Sequence, residues 1–118
     1  MLTLEDIKEN RELVNDIDWE MTPEEAVRLY LEWGNNWARG NYVIRSKGDV
    51  SHYFVVNTWH GDPVVYLVRR NSEGARELAK IQLPSALIHR YRSENGSLKG
   101  VYAVEGEIKD WLKKMLGI

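Results

Sequence analysis

The sequence predicts an α+β fold: an antiparallel β-meander of three to four strands, with two helices before it and two after it. Three observations carry this expectation. Residues 52–70 hold two runs rich in Val, Tyr, Phe, Trp and Thr on either side of His60-Gly61-Asp62-Pro63, the composition of a hairpin around a tight turn. Thr22-Pro23-Glu24-Glu25 stands directly before apolar residues at helical spacing, which marks a capped helix start. Glu107, Ile108, Trp111, Leu112 and Met115 repeat helical spacing near the other end. Both strands of the central pair carry apolar residues on both faces, so the flanking segments are expected to cover it on each side.

At 118 residues the chain has the size of one domain, 1–118, large enough to enclose one core. Hydrophobic residues at 43% and charged residues at 29% match ordinary globular usage, which excludes a disordered or fibrous class. The absence of Cys removes disulfides, thiolate nucleophiles and Cys-based metal centres, and it suits a reducing compartment. MLTLEDIKEN carries neither a basic region nor an apolar leader core, and no apolar run reaches the roughly 18 residues that span a bilayer. The expectation is a soluble cytoplasmic protein without a membrane partner.

The net charge of −2 conceals an uneven distribution. Residues 1–38 sum to −7, residues 39–103 to +5, and the remainder to zero. Opposite charges placed in one small domain generally meet within it, so internal docking is expected; pairing between copies, or a basic surface for an anionic partner, are the alternatives.

In chain order, Thr3 caps a first helix with Glu5 and Asp6 in its first turn and Leu4, Ile7 and Val14 on one side. Asn15-Asp16-Ile17-Asp18-Trp19 breaks that helix, with Ile17 and Trp19 as anchors. From Thr22 a second helix runs to about residue 38 on the stripe Ala26, Leu29, Tyr30, Trp33 and Trp37, passing through Gly34. Trp33 and Trp37, with Arg39 nearby, could stack on a flat ligand, but indoles on the apolar stripe of a capped helix read first as core. Residues 41–45 form an expected first strand and Ser46-Lys47-Gly48-Asp49 a turn.

If Gly61-Asp62 is a two-residue loop, Val64 opposes Trp59, Tyr66 opposes Asn57 and Val68 opposes Val55; Pro63, which lacks an amide hydrogen, argues for a wider one. Residues 75–83 alternate as a strand although ARELAK favours helix. With a four-residue loop at 71–74, one face collects Val55, Trp59, Val64, Tyr66, Val68, Ala79, Ile81 and Leu83 and is expected to be the main core. The other collects Phe54, Val56, Val65, Leu67 and Leu78 with Arg69, Arg76 and Lys80. Pro84-Ser85 opens a third helix bearing Leu87, Ile88 and Tyr91, stopped at Asn95-Gly96. Residues 101–104 fit either a short strand or a connector. Lys113 and Lys114 complement the dipole of the terminal helix.

No catalytic or metal motif is present: His52, His60 and His89 sit in no ligand spacing, and HExxH, GxSxG, Walker and GxGxxG patterns are absent. His60-Gly61-Asp62 has a sufficient explanation as a turn. No catalytic residue, metal or cofactor is therefore expected, and an enzyme is the third reading. The first is a small non-enzymatic binding or regulatory module whose partner is another protein, a second copy of this chain included. The second is an anion or single-stranded nucleic-acid binder using Phe54, Arg69, Arg76 and Lys80, with Trp37 and Arg39 as further binding candidates. The pI near 5.9 argues against nucleic acid.

TPEEAVRLYLEWGNNW, DVSHYFVVNTW and LKGVYAVEGEIKDWLKK together resemble a small family of bacterial proteins met among anaerobic sulfate reducers. The resemblance covers nearly the whole chain and implies a stand-alone bacterial cytosolic protein. With no activity assigned to the family, it carries over no site residue.

Overall fold

The computed structural model describes residues 1–34, 50–71 and 74–118, with the backbone alone at 30–34. The described elements are α1 (Leu4–Glu9), α2 (Arg11–Asp16), α3 (Pro23–Gly34), β1 (Ser51–Asn57), β2 (Val64–Asn71), β3 (Gly74–Gln82), α4 (Ser85–Asn95), β4 (Val101–Ala103) and α5 (Gly106–Met115). The class is α+β, and the order of helices and strands broadly follows the sequence expectation. The strand expected at 41–45, the turn at 46–49, the end of the second helix, and the side chains of Trp33, Trp37 and Arg39 lie outside the described residues.

Local chemistry sets the helix boundaries. Thr3 and Asp6 form a reciprocal capping box at α1. The first helix then divides, because Asn10 leaves helical geometry and its side chain caps α2 by accepting from the Leu13 amide at 3.1 Å. Thr22 Oγ1 accepts from the Glu25 amide at 3.2 Å, so α3 starts where the sequence places it. Gly96, at φ +71, ends α4 with its amide on the Arg92 carbonyl, a left-handed position where glycine carries no steric cost.

The sheet is antiparallel in the order β3-β2-β1-β4. The segment 74–82 is a strand, and Val101–Ala103 is a strand that returns across α4 to lie beside β1. Val55 pairs with Tyr66 and Asn57 with Val64, two residues away from the register of a tight loop. The loop is wider because Gly61 closes a turn onto the Thr58 carbonyl and Pro63 is buried behind it. A shift of two preserves the face of every strand side chain but leaves Trp59 at the tip, 43% exposed and outside the core to which the sequence assigned it.

A β-bulge corrects the core assignment. Arg70 pairs with Ala75 as expected, but the register shifts between Leu67 and Val68, so Leu67 faces Ala79 and Val65 faces Ile81. One extra residue on β3 reverses every side chain beyond it. The larger core therefore gathers Phe54, Val56, Val65, Leu67, Ala79 and Ile81 against α1, α2, α4 and α5. The face expected to be the main core, with Val55, Tyr66 and Val68, packs instead on Met21 and on Ala26 and Leu29 of α3.

Long-range contacts close the edges. The Leu2 amide donates to the Leu78 carbonyl at the outer side of β3, and the Asp18 amide to the His52 carbonyl beside lower β1. Trp19 lies 5.4 Å from the Phe54 ring and Lys113 5.4 Å from the Trp19 ring. Arg11 donates to the Leu116 carbonyl at 2.9 Å. Thr58, 8% exposed, clasps the incoming chain: Oγ1 donates to the Leu98 carbonyl at 2.8 Å and accepts from the Gly100 amide at 3.1 Å. No helix among the described residues is long and apolar enough to cross a membrane.

Thr58→Val is isosteric but leaves the Gly100 amide and Leu98 carbonyl without that partner, so it should cost about 1–3 kcal/mol. Urea denaturation checks this, and an unchanged midpoint would show that β4 is held by its ladder alone.

Candidate functional site

The candidate residues of the basic face do not converge. Phe54 is 3% exposed and sits in the larger core. Arg69 stands opposite Arg76 on β3 and opposite His52 on β1, which joins these two arginines on one face. Lys80 lies beyond the bulge opposite Tyr66, on the other face of the sheet. Among the loop candidates, Asp62 bonds Arg92 at 2.7 Å rather than His60, and His52 Nδ1 lies 2.6 Å from Asp16. The second pair joins the acidic first third of the chain to its basic middle.

Chemistry that can hold a ligand gathers elsewhere. A groove of about 590 Å³ opens where the first turns of α3, the C-terminal half of α4, β4 and the start of α5 meet. Its floor is apolar, with Val56, Leu87 and Ile108, each a core residue. Val27 of α3, 56% exposed, and Pro23 form one wall. Tyr91 and Tyr102 form the other, below a rim of Glu94, Glu105 and Glu107. Gly106 carries φ +57 at the turn from β4 into α5, between Glu105 and Glu107, a geometry that a side chain at this position would strain.

The electrostatics of this groove are negative. Among the described residues lining it there are three carboxylates and no Lys, Arg or His. Arg90 neutralises Glu107 at 2.7 Å, whereas Glu94 and Glu105 have no ion-pair partner among the described residues. The Tyr91 phenol is pushed up to about 12, first by burial and then by Tyr102 and the Glu105 carboxylate. It therefore stays neutral at ordinary pH, as a hydrogen-bond donor with an electron-rich ring face. Apolar floor, aromatic wall and unpaired carboxylates suit a cation borne on an apolar stem.

Sequence reading passed over these residues for physical reasons. Tyr91 belongs to the apolar stripe of α4, and Glu105 and Glu107 have a sufficient explanation at a helix start. The one signal available was Glu94, an acid in the last turn of a helix, where the dipole disfavours it. No family model matches the chain, and no curated protein or solved structure matches it significantly.

Tyr91 generates a test of this geometry. Its native proton is held more tightly than in the unfolded chain, where tyrosine ionises near about 10. The resulting stability is complete below that pH and is lost as pH rises from about 10 toward about 12. Denaturation midpoints across that interval should fall more steeply for the native protein than for Tyr91→Phe; parallel curves would place Tyr91 in solvent.

Proposed function

We propose that this protein is a small non-enzymatic binding module that recognises another protein through an apolar segment carrying Lys or Arg, held in the groove between α3, α4 and α5. The observation that supports the reading is the pair of carboxylates, Glu94 and Glu105, without an ion-pair partner among the described residues, above an apolar and aromatic floor. Glu94 is unfavourable for the free protein, because it adds negative charge at the negative end of α4. A cation entering the groove relieves that repulsion. With no cysteine in the chain, a reducing cytoplasm is the compartment proposed.

The reading as a nucleic-acid binder draws less support. Its aromatic residue, Phe54, is in the core, Lys80 is on the opposite face from Arg69 and Arg76, and the groove has the wrong sign for a polyanion.

Benzyltrimethylammonium, an apolar ring with a permanent cation, is a direct probe. On titration, amide resonances of Tyr91, Tyr102 and residues 105–108 should shift together. The double variant Glu94→Gln, Glu105→Gln should weaken binding by roughly fivefold or more, as expected from about 1 kcal/mol of charge and cation–π attraction. Equal binding of benzylsulfonate, or no loss in the double variant, would contradict the proposal.

A further inference from the structure

We propose that the ligand of this groove is an extended segment of another protein, with alternating apolar and basic residues, that adds to the sheet as a strand alongside β4. The proposal rests on the reading of the groove given above and specifies how the ligand binds.

Three geometric facts converge on the outer edge of β4. First, β4 ends the described sheet on that side, whereas Leu2 takes one main-chain position of β3, at Leu78, and Asp18 one of β1, at His52. Second, the hydrogen-bonding phase of β4 is known. The Thr58 amide donates to the Gly100 carbonyl at 2.9 Å, in the same register that pairs Val56 with Tyr102 and Asn57 with Val101. Bonded and non-bonded pairs alternate in an antiparallel ladder, so Tyr102 bonds toward β1, while the N–H and C=O of Val101 and Ala103 point away from it. Among the described residues neither makes a backbone hydrogen bond on that outer side. Third, the groove wraps this edge: Pro23 and Val27 belong to the layer on one face of the sheet, and Leu87, Tyr91 and Ile108 to the layer on the other.

The sequence of the incoming strand follows from the two walls. Side chains on its α4–α5 face meet Tyr91 and Tyr102 below Glu94 and Glu105, a setting for Lys or Arg with the alkyl stem on the rings. Alternate side chains turn to the α3 face and meet Pro23 and the exposed Val27, a setting for Val or Ile. Main-chain pairing supplies affinity and the two walls supply selectivity, the division found wherever a peptide extends a sheet edge. Charge complementarity favours this occupant over a second copy of the chain, whose own β4 edge lies beside the same carboxylates.

The experiment uses the full chain and the peptide acetyl-Thr-Lys-Val-Arg-Val-Lys-Thr-amide, with two N-methylated forms that block alternate amide hydrogens. One form loses the hydrogens directed at β4, the other those directed at solvent. Calorimetry should show one form bound at least tenfold more weakly than the parent and the other nearly as well. Ala103→Pro removes an outward N–H without touching the β1 ladder, so it should weaken the peptide tenfold or more. If both methylated forms bind like the parent, the peptide docks by side chains and strand addition is wrong. If the small cation binds and the peptide does not, strand addition fails while the groove reading stands; if neither binds, both fail. Sedimentation that shows a dimer dissociated by Ala103→Pro would assign the edge to a second copy and overturn the proposal.

Discussion

Burial of both faces of the β1–β2 ladder is the constraint on which the remaining structure depends. Val55 and Val56 are neighbours in sequence and point to opposite faces, yet both are withdrawn from water, as are Val65, Leu67 and Val68 on the paired strand. A sheet of this composition cannot leave either side open. One face therefore takes the helices before and after the strands, and the other takes α3. Each buried aliphatic side chain contributes about 1.5–3 kcal/mol relative to its exposed state, far more than the surface ion pairs at about 0–1 kcal/mol each.

Layering on both faces leaves the sheet edges as the remaining exposed main chain, and the chain treats them unequally. Leu2 and Asp18 reach back to β3 at Leu78 and to β1 at His52, with one backbone hydrogen bond each. Upper β1 is covered by β4, which Thr58 holds in place through the loop that precedes it. The outer side of β4 then faces a cleft between the two helical layers. The same cleft receives the carboxylates of Glu94 and Glu105, while among the described residues Arg92 is held by Asp62 at the hairpin tip and Arg90 by Glu107 on the groove rim. An acidic groove beside a strand edge that no described residue pairs is thus a consequence of how the layers end.

Much of this was legible from local chemistry. Thr22, Pro23 and Glu25 fixed the start of α3, the Val-rich runs fixed the hairpin, and Gly96 fixed the end of α4, because each depends on residues close in sequence. Pro63 pointed to the wider loop through its missing amide hydrogen. The bulge at Leu78 was not legible, since nothing in the alternation of 75–83 distinguishes a regular strand from one with an inserted residue. That single residue exchanged the two cores and moved Lys80 away from Arg69. The groove was hidden for a different reason: Val27, Tyr91, Tyr102 and Glu105 come from four segments, and each has an ordinary role within its own.

The doubly covered ladder is the rigid frame, and β4 is the peripheral strand, with no backbone partner on its outer side among the described residues. Native-state hydrogen exchange measures both at once. Amides of Phe54 to Val56 and Val65 to Leu67 that bond within the ladder should exchange slowest, through global unfolding alone. Within β4, the Tyr102 amide should be protected and those of Val101 and Ala103 should exchange rapidly. Slow exchange at Val101 and Ala103, or a slowest core confined to the helices, would contradict the account.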